Sequence, residues 1–219
     1  MTQSYVTIAE NAPGYFELEI KRSRFLAVAR GVTDELTARQ AIEAERKQYP
    51  DARHHCSAFT VLPLGWENGV QPVQRSSDDG EPSGTAGRPL LDVLMGSGLQ
   101  NVCVVVTRYF GGIKLGTGGL VRAYSEAAQG AIAAAERVEV KSVPVVSFDV
   151  AANRAAALES WLHSRNYQPL SVTWSNRVTF ELAVPGDTRD ELAAALAAQL
   201  GAPVIFHDAG IKVVRSRLK

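Results

Sequence analysis

The chain has 219 residues, and its 23 lysines and arginines balance 23 aspartates and glutamates, so the formal net charge is zero. A composition that is 46% hydrophobic and 21% charged is typical of a folded globular protein, and it excludes a disordered or fibrous chain. Neutrality also excludes a protein that holds nucleic acid through overall positive charge, although a local basic surface remains compatible with it.

The cysteine content and the N-terminal sequence indicate a compartment. The two cysteines, Cys56 and Cys103, are too few for a disulfide framework and are typical of a reducing environment. The N-terminal residues lack the basic and apolar regions of a signal peptide, and no apolar run approaches about 18 residues. We therefore expect a cytoplasmic protein with no membrane segment.

Hydrophobic patterning predicts the elements of the first part of the chain. Alternation over residues 16–20 and 25–28 predicts a β-hairpin whose turn is 21–24. Thr33 is the predicted N-cap of a helix that ends at Tyr49–Pro50, because a residue before proline avoids helical geometry. Further predictions are a strand over 56–62, a loop over 63–71, an apolar strand over 101–107 covered on both faces, and a helix from Gly119 to about Glu136.

After Lys141 the pattern restarts and predicts a second, smaller domain. Its predicted elements are strand 143–150, helix 155–166, strands 170–174 and 177–184, a second helix, and a final strand from Val204. Thr188 and Glu191 have the spacing of a capping box at the start of the second helix, and Gly201 ends that helix. The order β-α-β-β-α-β is that of a ferredoxin-like unit, so we predict an α+β protein with domains 1–139 and 140–219.

The first segment with unusual composition is acidic and glycine-rich, over residues 76–87 (SSDDGEPSGTAG). We call it the acidic loop. Three carboxylates here could bind a hard cation such as magnesium, but the spacing matches no complete metal loop. The alternative is a structured turn that leads into a helix near Thr85, with the acids solvated or capping that helix.

The second such segment, residues 108–124, contains three cations and no acid. We call it the glycine-rich segment. It lies between a predicted strand and a predicted helix, an arrangement that points backbone amides and a helix dipole at an anion such as phosphate. It matches neither a Walker A loop nor a dinucleotide fingerprint. The alternative is structural, with Arg122 paired to Glu126 and the glycines serving close backbone approach.

The remaining candidates extend or limit these two sites. Aromatic Tyr109 and Phe110, together with the hairpin cations, fit single-stranded nucleic acid, although a core position for Phe110 is the other interpretation. Adjacent residues of a strand face opposite ways, so His55 does not orient on Cys56 as a thiolate pair. The sequence shows no recognisable pair of a nucleophile and a general base, which favours a binding function over catalysis.

Three strings of the sequence carry a resemblance to a known family. They are His55-Cys56-x-Ala58, the run 78–87 (DDGEPSGTAG) and the run 106–124 (VTRYFGGIKLGTGGLVRAY), preceded by KRSRF at 21–25. In this order and spacing the chain resembles the IMPACT/YigZ family over residues 15–137. The rest resembles the smaller domain of the bacterial branch by layout more than by motif.

The resemblance implies a fold and a field of function. In this family the first domain is ribosomal-protein-like α/β, similar to domain IV of elongation factor G, and the second resembles domain V of that factor. Eukaryotic members regulate translation initiation by binding the activator of an initiation-factor kinase. Their additional N-terminal domain has no counterpart in this sequence, so we do not expect that role. For bacterial members, likeness of fold points to nucleic-acid or ribosome binding, an analogy rather than a mechanism.

Two functional hypotheses result. The first is a non-enzymatic, translation-associated regulator that binds RNA or the ribosome through the glycine-rich segment. The second is a phosphate-ligand-binding enzyme that uses Asp78 to Glu81 with a divalent metal. The sequence assigns no catalytic residue, resident metal or cofactor, and leaves a protein partner and the oligomeric state open.

The predicted site residues fall into two groups. The nucleic-acid or anion-binding residues are Lys21, Arg22, Arg24, Arg108, Tyr109, Gly111, Gly112, Lys114, Gly116, Gly118, Gly119 and Arg122. The residues of the family motif are His55, Asp78, Asp79, Gly80, Glu81, Pro82, Gly84, Thr85 and Gly87.

Overall fold

The computed structural model describes residues 3–63 and 70–218, and it divides the chain into two compact units. One is Tyr5–Glu139 with residues 216–218, and the other is Val140–Arg215 with residues 3–4. Across the described residues the protein is mixed α+β, as the sequence predicts, and it has five helices and two sheets. Most of the predicted loop 63–71 lies outside the described residues. None of the described helices combines the length and the apolar character needed to cross a membrane.

The larger unit is built on an antiparallel sheet with strand order β2-β3-β6-β4-β5. These strands are β2 (Gly14–Ile20), β3 (Ser23–Gly31), β4 (His54–Val61), β5 (Val73–Ser77) and β6 (Val102–Tyr109), and β1 (Gln3–Ile8) precedes them. The predicted hairpin is present, but its turn has two residues instead of four. Lys21 and Arg22 have positive φ angles of 47° and 63°, as a type I′ turn requires, while Ser23 is already paired with Ile20.

Helices cover both faces of this sheet, which explains the continuous apolar run of β6. The helices are α1 (Glu35–Gln48), α2 (Gly87–Gly96) and α3 (Thr117–Ala134). Val104 and Val106 pack in the core that α2 and α3 share, while Cys103 and Val105 pack with residues of α1. The predicted N-cap of α1 is wrong by one residue. Asp34 accepts the Thr37 amide at 2.7 Å, and the Thr37 hydroxyl accepts the Asp34 amide at 3.0 Å.

The smaller unit follows the predicted order of elements. These are β7 (Arg137–Val150), α4 (Ala152–Ser164), β8 (Ser171–Trp174), β9 (Val178–Ala183), α5 (Arg189–Leu200) and β10 (His207–Arg217). Strand β9 lies between β7 and β8, β10 pairs with β7, and stacked Phe148 and Phe180 lie in the core. The predicted capping box at Thr188 is wrong, because its hydroxyl donates to the Pro185 carbonyl instead. Gly201 ends α5 with a left-handed φ of 64°, as predicted.

Close packing of α3 on β2 gives a prediction about stability. A Cβ at Gly14 would overlap the Ala131 carbonyl oxygen, whereas a Cβ at Gly96, at the exposed end of α2, meets nothing within 4 Å. We expect Gly14→Ala to lower the free energy of unfolding by about 1–3 kcal/mol, because overpacking forces the backbone apart. Gly96→Ala is the matched control and leaves stability equal or slightly higher. Urea unfolding measures both, and equal midpoints for the two variants would contradict this packing.

Candidate functional site

The acidic loop consists of two consecutive turns between β5 and α2. Asp79 and Gly80 have φ angles of 42° and 85°, and the Glu81 amide donates to the Asp78 carbonyl at 2.9 Å, as in a type I′ turn. A second turn follows, in which the Thr85 amide donates to Pro82 across Gly84. The loop is therefore a structured turn that leads into a helix, which is the structural alternative that the sequence leaves open.

Asp78 occupies the N-terminus of α2. Its carboxylate accepts the amides of Gly84 at 2.8 Å, Ala86 at 3.0 Å and Gly87 at 2.8 Å. Partial burial raises the pKa of this carboxyl, but the three amide bonds together outweigh burial, so the pKa lies below its ordinary value. A Cβ at Gly87 would lie 2.7 Å from the Ser77 carbonyl carbon, so this close approach requires glycine. The anion site of α2 is thus filled from within the chain.

Asp79 ties the loop to α1 and β4. Its carboxylate accepts from Arg46 Nη2 at 2.6 Å and from the His55 amide at 2.7 Å, and its carbonyl accepts from His54 Nδ1 at 2.9 Å. The buried His55 ring donates through Nε2 to the Tyr49 carbonyl at 3.1 Å. These contacts give the histidines and Asp79 structural partners.

Glu81 joins the acidic loop to the glycine-rich segment. Its Oε1 accepts from Arg108 Nη1 at 2.6 Å and from the Tyr124 hydroxyl at 2.8 Å. The side chains of Glu81 and Arg108 are only 3% and 7% exposed, so this ion pair is desolvated. The Cys56 thiol donates to the Tyr124 hydroxyl at 3.3 Å, and burial raises its pKa to about 12, which keeps it protonated. The two unusual segments of the sequence therefore meet in space.

This arrangement argues against the metal-site hypothesis, and it gives Arg108 a partner within the chain. The three carboxylates Asp78, Asp79 and Glu81 bind three separate sets of partners instead of converging on one point. Over the described ranges, no group of three His, Cys, Asp or Glu side chains is placed to hold a metal ion. The charge of Arg108, a predicted anion ligand, is neutralised by Glu81.

A cleft of about 700 Å³ opens where these segments meet. Its lining includes Arg53, His54, Glu81, Arg108, Phe110 and Lys114, and then Leu115 to Thr117 at the start of α3. Gly116 precedes α3 with a φ of 73°, and no side chain of the described residues caps the first amides of this helix. Unlike the N-terminus of α2, this one keeps the arrangement predicted for anion binding.

The hairpin turn packs directly against the glycine-rich segment. The Gly111 amide donates to Ser23 Oγ at 3.1 Å, and a Cβ at Gly111 would overlap the backbone of Arg22. Gly111 therefore serves close backbone approach. Through this contact, the exposed cations Lys21 and Arg22 lie beside the segment that carries Lys114.

The predicted cations divide into paired and unpaired groups. Arg24 pairs with Glu17 at 2.7 Å and Arg108 pairs with Glu81, while Tyr109 donates to Asp51 at 2.8 Å. The unpaired and exposed group is Lys21, Arg22, Lys114 and Arg122, for which the described residues provide no carboxylate within ion-pair distance. We call these four the hairpin–loop cations. The pairing of Arg122 with Glu126, which belongs to the structural alternative, is absent from the described part of the chain.

Sequence reasoning misses three members of this site. Tyr124 fits the apolar stripe of α3, so only its hydroxyl hints at the buried network. The sequence places Ser23 in a turn, and its contacts with Gly111 and Arg108 depend on the shorter turn found here. Arg53 is not among the predicted residues, although the run Arg53-His54-His55 at the start of β4 is a local signal of positive charge.

The buried pair predicts a coupled loss of stability. We expect Glu81→Gln to lower the free energy of unfolding by about 3 kcal/mol, because the Arg108 charge is left buried without a counter-charge. The double variant Glu81→Gln with Arg108→Met should be destabilised less than Glu81→Gln alone, since the uncompensated charge is then gone. Urea unfolding of both variants tests this. A double variant that is at least as destabilised as Glu81→Gln alone would show that the two charges are not coupled.

The lowered pKa of Asp78 leads us to expect that the stability of the fold depends on pH in a specific way. Its folded-state pKa lies below the ordinary value of about 3.9, so it stabilises the fold above that pH and the stabilisation disappears as pH falls through the folded-state pKa. We expect Asp78→Asn to be less stable than the parent at pH 7, with a difference that shrinks below about pH 4. Unfolding measured from pH 7 to pH 2 gives the comparison. A constant difference over this range would exclude Asp78 as the titrating group.

Comparison with known proteins places these motifs in a family. Residues 21–132 match the family described as the Impact N-terminal domain. The chain is 38% identical to IMPACT family member YvyE of Bacillus subtilis over 84% of this chain and 81% of the relative, and 49% identical to IMPACT family member YigZ of Escherichia coli over 48% and 50%. The crystal structure of a hypothetical protein is 32% identical, with a TM-score of 0.63, over 93% of this chain and 96% of that one. Since the family match spans half of the sequence and YvyE is covered over most of its length, the chain belongs to the IMPACT family.

Proposed function

We propose that this protein is a translation-associated regulator that binds RNA or the ribosome through the hairpin–loop cations. The observation that carries the proposal is the packing of Gly111 on the hairpin turn, which joins two separate basic stretches of the sequence. Family membership supports a role in translation, since eukaryotic members of the family that the motifs resemble regulate initiation.

The charges and backbone groups of this region suit a phosphate backbone. Lys21, Arg22, Lys114 and Arg122 are exposed, and the described residues offer them no carboxylate partner, so they keep their charge for an external anion. The uncapped amides at the start of α3 add hydrogen-bond donors and a favourable dipole. Neutrality of the whole chain is compatible with this local excess of positive charge.

The geometry favours this binding role over the metal-dependent enzyme. The enzyme hypothesis needs free carboxylates, but Asp78 caps α2, Asp79 pairs with Arg46, and Glu81 pairs with Arg108. The likeness of the two units to domains IV and V of elongation factor G, and a cytoplasmic location, belong to the same proposal. Both are compatible with a protein that binds the ribosome.

A charge-matched pair of variants tests the proposal. We expect replacement of all four hairpin–loop cations by glutamine to weaken strongly the binding of single-stranded RNA and co-sedimentation with ribosomes. The salt dependence should weaken as well, with the slope of log K against log[salt] falling by about 0.7 for each phosphate that the variant no longer neutralises. The control replaces four other exposed cations by glutamine, namely Arg39, Lys47, Arg75 and Arg88.

The control carries the same change in net charge, so it separates a local site from general electrostatics. It should retain binding with the parental salt slope, and thermal unfolding should show that both variants are folded. If binding is weakened equally in both variants, the effect is one of net charge and the hairpin–loop cations are not the site. If neither variant is weakened, the RNA site lies elsewhere.

A further inference from the structure

We propose that the cleft between the acidic loop and the glycine-rich segment binds a single unpaired nucleoside phosphate, with the base stacked on Phe110 and the phosphate near Arg53 and Lys114. The ligand chemistry is the same for a free mononucleotide and for an unpaired nucleotide of an RNA strand. In the second case the inference rests on the proposed function, and in the first it does not.

Phe110 has the features of a stacking platform. It lines the cleft and is 56% exposed, so part of its ring is open to a ligand. The Arg108 guanidinium lies over the ring, 5.6 Å from its centroid. Arg108 itself is fixed by Glu81, so one face of the Phe110 ring is held while the side chain keeps exposed surface for a base.

The charge of the cleft suits an anion. Of its two acids, Glu81 is paired with Arg108, and Asp51 keeps its charge while it accepts the Tyr109 hydroxyl, so the lining of the cleft is still positive overall. Arg53 and Lys114 are exposed, and no carboxylate of the described residues lies within ion-pair distance of either. A phosphate would balance this excess of positive charge, and the first residues of α3 line the same cleft.

The size of the cleft selects the class of ligand. Its volume of about 700 Å³ lies within the range of about 300–1,000 Å³ typical of small-molecule sites. One mononucleotide suits this space, whereas a double helix has no unstacked base to insert. The cleft therefore adds recognition of one base to the general phosphate binding assigned to the hairpin–loop cations, and Lys114 takes part in both.

Calorimetric titration of the full chain with AMP, adenosine and inorganic phosphate tests the assignment. We expect AMP to bind more tightly than either part. Phe110→Ala should weaken binding of AMP and adenosine on the order of tenfold, because the base no longer stacks, while Phe110→Tyr should retain binding. Arg53→Gln should weaken binding of AMP and phosphate but leave adenosine unchanged. The controls outside the cleft are Tyr15→Ala, another exposed aromatic, and Arg75→Gln, another exposed cation.

The proposal is overturned if AMP does not bind the parent protein, or if Phe110→Ala and Arg53→Gln bind AMP like the two controls. Because Phe110 and Arg53 are exposed, their replacement leaves the core intact, and thermal unfolding verifies this.

Competition with the RNA strand octaadenylate identifies the source of the nucleotide. Displacement of octaadenylate by AMP assigns the cleft to an RNA nucleotide, and simultaneous binding of both assigns it to a free one; either result supports the site. The proposed RNA-binding function fails separately. In that event octaadenylate does not bind, or binds independently of the hairpin–loop cations, while AMP still requires Phe110 and Arg53.

Discussion

The buried contact between Glu81 and Arg108 is the interaction on which the rest of the motif region depends. Glu81 lies in the acidic loop, Arg108 near the end of β6, and the Tyr124 hydroxyl of α3 shares the same carboxylate oxygen. Both charges are nearly excluded from water, and an unpaired charge in such a position costs several kcal/mol. The loop, the strand and the helix therefore have to adopt paths that bring these three side chains together.

Glycines near this pair allow backbones to approach where a side chain would not fit. Gly87 brings the start of α2 against the end of β5, and Gly111 brings the glycine-rich segment against the hairpin turn. The glycines of the two motifs thus perform different tasks that composition alone cannot distinguish. Gly111 serves packing, whereas Gly116, with its positive φ and open surroundings, starts a helix whose first residues line the cleft.

The sequence predicts helices and strands well where hydrophobic periodicity is strong. It predicts them poorly where a segment becomes a strand only because its backbone pairs with a neighbouring strand. Residues 35–48, the apolar β6 and most of α3 carry clear patterns, so their type and approximate bounds are predictable. Strand β5 reads VQRSS, which has no apolar alternation, and it forms because its backbone pairs with β4. The hairpin turn is two residues shorter than predicted, since the polar side chains of Ser23 and Arg24 conceal their place in the strand register.

The sequence locates the two unusual segments of the candidate site, but it does not show how their side chains pair. Both unusual segments can be located from the sequence, because each concentrates charges of mainly one sign in a stretch that lacks the hydrophobic periodicity of a helix or strand. Which acid meets which cation depends on tertiary distance, so the sequence cannot show that Arg108 is neutralised by Glu81 or that Asp79 holds Arg46. A formal net charge of zero hides this difference between paired and unpaired cations.

Helices α2 and α3 both begin after turns that contain glycine. The difference between their N-termini indicates which backbone amides stay available to a ligand. At α2 the Asp78 carboxylate accepts three amides, so the dipole and the exposed donors are satisfied by the chain itself. At α3 none of the side chains that the structure describes plays this part, and Lys114 adds charge of the sign that attracts an anion. One acidic residue is enough to accept the free amides of a helix N-terminus, as Asp78 does at α2. An open terminus beside Lys114, Arg53 and an exposed aromatic ring is therefore the arrangement on which the proposed phosphate binding rests.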